Sequence, residues 1–130
     1  MKSTFLLAIL LAATAAFGQG RTPAGSRSPA GEGSKDPKVL RNLQSAWESA
    51  QSNFAKHPKD KAAKDKFVVA GVRFGHESMV SPVLAPRVKY RQALHVYLQV
   101  LKVDPKNPIA KPEADEMIRI YKSMGRPVPN

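Results

Sequence analysis

Three histidines, two neighbouring serines and a cluster of lysines are the residues of this chain that could do chemistry. His76 and Glu77 precede Ser78 and Ser81 in the stretch "GHESMVS". A zinc hydrolase site on a helix needs a second histidine about one turn on, so that two imidazoles reach one metal and the glutamate acts as base. No such histidine follows His76, and His57 and His95 stand well apart from it. A serine nucleophile would need a tight Gly-x-Ser-x-Gly turn to expose its hydroxyl, and neither serine lies in one. Asp115 and Glu116 fall on the outward side of a helical pattern. The glycines sit mostly before residue 34, with no phosphate-cradling loop. The chain has no cysteine, so thiol chemistry, thiolate metal sites and disulfides are excluded. The expectation is a protein without catalytic residues, cofactor or metal.

The net charge of +11 suggests anionic partners. Lys56, Lys59, Lys61, Lys64 and Lys66 gather around "KDKAAKDK", but two aspartates are interleaved there. Such a run reads as a solvated face with local ion pairs. The aromatics fall at core spacing rather than alternating with the bases, as a stacking platform for nucleic acid would require. Nucleic acid is therefore not the expected partner.

These residues must be positioned by elements legible from spacing. The chain opens with "MKSTFLLAILLAATAAFGQG": a lysine, an apolar run, then small residues. That is the layout of a secretory signal peptide over residues 1–18, with cleavage after Gly18 or Ala15. The run is shorter than the ~20 apolar residues a membrane span needs, and no later segment could cross a bilayer. The expectation is an exported protein, periplasmic or extracellular, of bacterial style. Residues 19–36 are rich in Gly, Pro and Ser and hold no large apolar side chain, so they read as a disordered linker.

The fold class expected is all-α, with about four helices in two antiparallel hairpins over residues 37–126. Asp36-Pro37 is a helix start, and Leu40, Leu43, Trp47, Ala50 and Phe54 make one face up to residue 56. Asp60 can cap a second helix running to about Met79. Pro86 opens a third, which ends at Val103 before Asp104-Pro105. The fourth is "PEADEMIRIYKSMG", from Pro112 to Gly125. An earlier start capped by Asn107 is conceivable, but Pro112 would then disturb its hydrogen bonding. Residues 127–130 read as an extended tail.

The third helix is apolar on more than one face: Tyr90, Ala93, Leu94, Tyr97, Leu98 and Leu101 form one stripe, and Val96, Val100 and Val103 a second. A helix squeezed between two neighbours needs that breadth. Sliding the chain to lay Pro58 on Pro105 also lays Ala46 on Ala93, Phe67 on Ala114 and Phe74 on Tyr121, a weak internal repeat.

At these residues the chain resembles the tetratricopeptide repeat family. Phe67, Ala70, Gly71 and Phe74 have the spacing of that family's first helix, and Ala93, Tyr97, Val100 and Pro105 that of its second. Ala46 and Tyr121 extend the core pattern into half-repeats on either side. The chain departs from the family in the loop between the second and third helices, about ten residues longer than the usual turn of a 34-residue repeat. A plain four-helix bundle and another helical-hairpin array are the alternatives. The resemblance implies a right-handed stack, a protein or peptide partner, and a groove lined by the first helix of each pair. Carried onto matching positions, that groove would be Val68, Val72, Arg119 and Lys122, suited to a peptide with acidic or C-terminal carboxylate character. By spacing alone both valines fit the core equally well. A stack this short leaves end faces for self-association or docking. The function expected is therefore a small protein-binding adaptor or scaffold; the alternative is a basic module binding an anionic polymer such as envelope glycan, lipid surface or nucleic acid.

Overall fold

A computed structural model describes residues 33–130. The expected signal peptide and linker residues 19–32 lie outside the described residues. Four helices follow one another: α1 (Pro37–Lys56), α2 (Lys61–Val80), α3 (Pro86–Val103) and α4 (Ala110–Ser123). The described residues contain no strand, so the fold is all-α.

Local chemistry sets the helix ends. The Asp36 side chain accepts from the Lys38 N–H at 2.8 Å, with Pro37 at the first helical position. Asp60 accepts from the Ala62 N–H at 3.0 Å. Each cap satisfies an amide that the helix itself leaves unpaired. Pro58, Pro86 and Pro105 mark the breaks, since proline cannot extend the preceding helix's hydrogen bonding. The short connections 57–60, 81–85 and 104–109 reverse the chain each time.

The fourth helix starts earlier than its sequence suggests, at Ala110 rather than Pro112. Asn107 explains this. Its Oδ1 accepts from the amides of Ile109 and Ala110 at 3.1 and 2.9 Å. The Lys111 N–H then reaches the Asn107 carbonyl at 3.1 Å, and that of Glu113 reaches Ile109 at 3.3 Å. Pro112 has no N–H for the Pro108 carbonyl, so the first turn is interrupted but still helical in course. The stretch joining α2 and α3 is also not a long loop. Residues 81–85 form the connection, and the extra residues lengthen the helices instead.

Packing runs in chain order: α1 on α2, α2 on α3, α3 on α4. The inner helix α3 accordingly buries the middle of both stripes, while Leu98, Leu101 and Val103 are half-buried and Tyr90 is exposed. Leu94, Tyr97 and Val100 are fully buried and Val96 is only 2% exposed. The end helix α1 buries Trp47 alone, while Leu40, Leu43 and Phe54 pack half-buried against the core. Ala46, expected in the repeat core, is exposed because among the described residues no element packs outside α1. Pro105 is exposed too, and acts as a break rather than a core residue. Ala70 and Tyr121 are half-buried, while Phe67, Gly71, Phe74 and Ala93 are buried.

Two glycines let α2 serve as the hub. A Cβ on Gly71 would sit 2.5 Å from Val100 Cγ2 on α3 and 2.6 Å from Trp47 Cζ3 on α1. A Cβ on Gly75 would sit 2.6 Å from the Tyr97 ring. Both distances are far inside van der Waals contact, so the helices meet there at a spacing only glycine allows. Trp47 and Phe67 extend the contact with ring centroids 4.6 Å apart, and Phe54 lies 5.1 Å from Phe67.

Gly71→Ala and Gly75→Ala should each lower stability by about 1–3 kcal/mol through overpacking. Alanine by itself favours a helix over glycine by about 1 kcal/mol, so an increase in the urea midpoint would show that these helices can part freely.

Candidate binding groove

The outer faces of α3 and α4 form an open groove of about 780 Å³. On α3 it is lined by Arg87, Tyr90 and Arg91, which share a face by helical spacing. On α4 the stripe Met117, Ile120, Tyr121, Met124 recurs at intervals of three and four. This is the pattern of a helix awaiting a neighbour on that side. Tyr90, Ile120 and Met124 are 41, 43 and 52% exposed.

The third wall is the tail. Gly125 adopts φ 63°, a left-handed conformation that costs glycine little. The Gly125 and Arg126 amides donate to the Lys122 and Tyr121 carbonyls, both at 3.0 Å. This closes the helix with the paired bonds of a Schellman motif and turns the chain back. Val128 then packs half-buried against the core. At the end of the tail, the Asn130 backbone oxygen lies 3.4 Å from His95 Nδ1 on α3. The tail expected to be merely extended is thus laid across α3, and Arg126, Pro127 and Pro129 join the groove lining.

Arg87, Arg91 and Arg126 give the rim its charge. No acidic side chain lines the groove. Among the described residues none of the three guanidiniums has a carboxylate at ion-pair distance; the ion pairs are Lys61–Asp65, His76–Glu113, Lys111–Asp115 and Arg119–Glu116. A second groove, of about 670 Å³, lies at the opposite end between α1 and α2. It is lined by small residues such as Ala46, Ala50 and Ala70, with Asp65, Lys66 and Arg73 around them. A third, shallow depression is polar and confined to α1.

The residues carried over from the repeat family sit elsewhere. Val68 and Val72 are half-buried on α2 and pack against the core. Arg119 is held by Glu116 on its own helix, with Nε and Nη2 at 2.9 and 2.5 Å from the carboxylate oxygens. That pairing raises the guanidinium pKa and lowers that of the carboxyl, in each case mainly through the hydrogen bond. Lys122 is exposed. None of the four lines the three depressions described.

One polar cluster is invisible in the sequence because its members come from three helices. The buried Tyr97 hydroxyl donates to Glu113 Oε2. The other carboxylate oxygen of Glu113 lies 3.2 Å from His76 Nδ1. The cluster ties α2, α3 and α4 together at one corner. Burial, first, and the bond to Glu113, second, hold the Tyr97 pKa well above its ordinary value, so the phenol stays a donor. His76 therefore partners a carboxylate that is already engaged. Ser78 is also satisfied inside the helix pair: it donates to the Phe74 carbonyl at 2.7 Å and accepts from Gln92 at 2.9 Å. Among the described residues no group of three or more acidic or histidine side chains is placed to hold a metal ion.

No family model, no curated protein and no solved structure matches the chain.

Tyr97→Phe should cost about 1.5–3 kcal/mol at neutral pH, the range for a hydrogen bond to a charged group. The raised folded-state pKa also gives a sign. Stability from the protonated phenol is complete below the unfolded value of about 10 and declines as pH climbs beyond it, by at most about 1.4 kcal/mol per pH unit. Urea melts of both proteins between pH 7 and 11 would reveal this component as their difference, which should shrink as pH rises.

Proposed function

We propose that the chain is a small exported protein-binding module of helical-repeat type, an adaptor or scaffold without catalytic chemistry of its own. The observation that carries this reading is the groove between α3 and α4, apolar along its floor and ended by a tail that folds back over it. Ligand sites are concave and mostly apolar with a few polar groups that fix orientation, and the groove has that make-up. Its openness suits a polypeptide better than a small metabolite, which would need closer enclosure.

Export is supported by the N-terminal sequence, a lysine followed by a short apolar run and small residues. No helix among the described residues is long and apolar enough to cross a membrane. The resemblance to tetratricopeptide repeats is supported by the burial of Phe67, Gly71, Phe74, Ala93, Tyr97 and Val100 where α2 meets α3, residues whose sequence spacing is the one that family uses.

A basic module for anionic polymers is the second reading, favoured by the net charge of +11 and by the exposed Lys59, Lys64 and Lys66. The two readings separate by competitive capture. The protein and its Ile120→Asp variant serve as crosslinking baits in a cell-envelope extract at low and high salt. One specific protein, retained at high salt and lost with the variant, is the expected result. Heterogeneous anionic material released by salt and captured equally by both baits would put the polymer reading in its place.

A further inference from the structure

We infer that the α3–α4 groove takes an acidic amphipathic helix: a partner segment with apolar side chains along one face and carboxylates flanking them. The inference rests on the reading of the chain as a protein-binding module and names the chemistry of its partner.

The first ground is shape. The groove floor is made by two neighbouring helices, and α4 offers Met117, Ile120, Tyr121 and Met124 along one continuous stripe. A helix laid there would pack on α4 as α4 packs on α3, by side-chain ridges entering grooves. Its own anchors would recur at three and four residues. Methionine and tyrosine suit such a surface, because the thioether adapts its shape and the phenol combines apolar area with a polar tip. An extended peptide would find no strand edge to pair with, since none exists among the described residues.

The second ground is charge. Arg87 and Arg91 stand on one side of the apolar stripe and Arg126 closes the end. No acidic side chain lines the groove, and no ion pair among the described residues uses these guanidiniums. Elsewhere the exposed acids of α4 are already matched locally, Asp115 by Lys111 and Glu116 by Arg119. The rim is thus a local excess of one sign around apolar surface. A partner bearing carboxylates beside its apolar face complements it, and guanidiniums bind carboxylates with directed, paired hydrogen bonds. A second copy of this chain is the poorer occupant. Face-to-face pairing would set the same arginines against one another, and both copies carry the same strong positive charge.

The test uses two labelled helical peptides of about 18 residues, roughly five turns. Both carry leucine and methionine at the same helical spacing, one with flanking glutamates and the other with flanking lysines. Fluorescence anisotropy with the purified protein should show the glutamate peptide binding about tenfold more tightly, the size expected of a few exposed charge pairs acting together. The preference should shrink between about 0.1 and about 0.5 M salt. Ile120→Asp should abolish binding, and the exposed double variant Arg87→Glu/Arg91→Glu should invert the preference while leaving the helical circular dichroism unchanged.

Equal affinity for both peptides, or a preference for lysine, would overturn the acidic partner and leave the protein-binding reading standing. If neither peptide binds but phosphatidylglycerol vesicles or a DNA duplex do, both readings fall. A dimer in sedimentation that Ile120→Asp dissolves would assign the groove to a second copy and overturn the inference as well.

Discussion

The architecture depends on how closely α2 can approach its two neighbours. At Gly71 the α2 backbone lies within reach of Val100 on one side and Trp47 on the other, and one turn later Gly75 meets the Tyr97 ring. Those contacts are possible only where Cβ is missing. They convert two hairpins into a single packed unit, because the same residue of α2 touches both α1 and α3. The cost is local. Glycine lowers helix propensity, and α2 carries two of them one turn apart. What offsets it is the length of the helix and the burial of Phe67 and Phe74 on the same side. Close packing then demands exact polar matching nearby, which Tyr97, Glu113 and His76 supply across three helices, and Ser78 and Gln92 across two.

How far the sequence reveals this follows from the range of each interaction. Caps and breaks act within a few residues, so Asp36-Pro37, Asp60, Pro86 and Gly125 could be read directly, and each stands at a helix end. The two-sided hydrophobicity of α3 was equally legible, since burial by two neighbours leaves two stripes. The start of α4 was ambiguous because Asn107 and Pro112 send opposite signals, and the outcome combines them: a capped turn with one missing hydrogen bond. Ala46 could not be placed from spacing, because its exposure depends on α1 being the end of the described stack. The Tyr97–Glu113–His76 cluster joins residues far apart in the chain, and no local pattern announces it. The α3–α4 groove was hidden for a related reason. Its apolar stripe reads as ordinary core in the sequence, and only the lack of a helix beyond α4 among the described residues turns part of that stripe into surface.

The tail modifies that surface. Without it, the faces of α3 and α4 would meet solvent along their whole length. The left-handed Gly125 redirects the chain, and proline on either side of Val128 restricts the backbone while the valine seats against the core. A short segment with restricted backbone freedom loses less entropy on docking than a flexible one would. The wall it forms adds Arg126 to a rim that α3 already makes basic, so turn chemistry at the end of α4 contributes to the charge of the groove.

Among the described residues the two ends of the stack differ in a way that bears on head-to-tail growth. An open helical stack invites head-to-tail growth when one end face complements the other. Here the α4 end presents methionine, isoleucine and tyrosine with three arginines, while the α1–α2 end presents alanines, Leu43 and Val69 with Lys66 and Arg73. The one acid at that second face, Asp65, is engaged by Lys61 at 2.7 Å. Docking the ends would bring arginine toward lysine and arginine. Charge opposes it, and the repulsion is strongest at low ionic strength, where screening is weakest. On the proposed reading, the same excess of positive charge that disfavours a second copy at the apolar end would favour a carboxylate-bearing partner there.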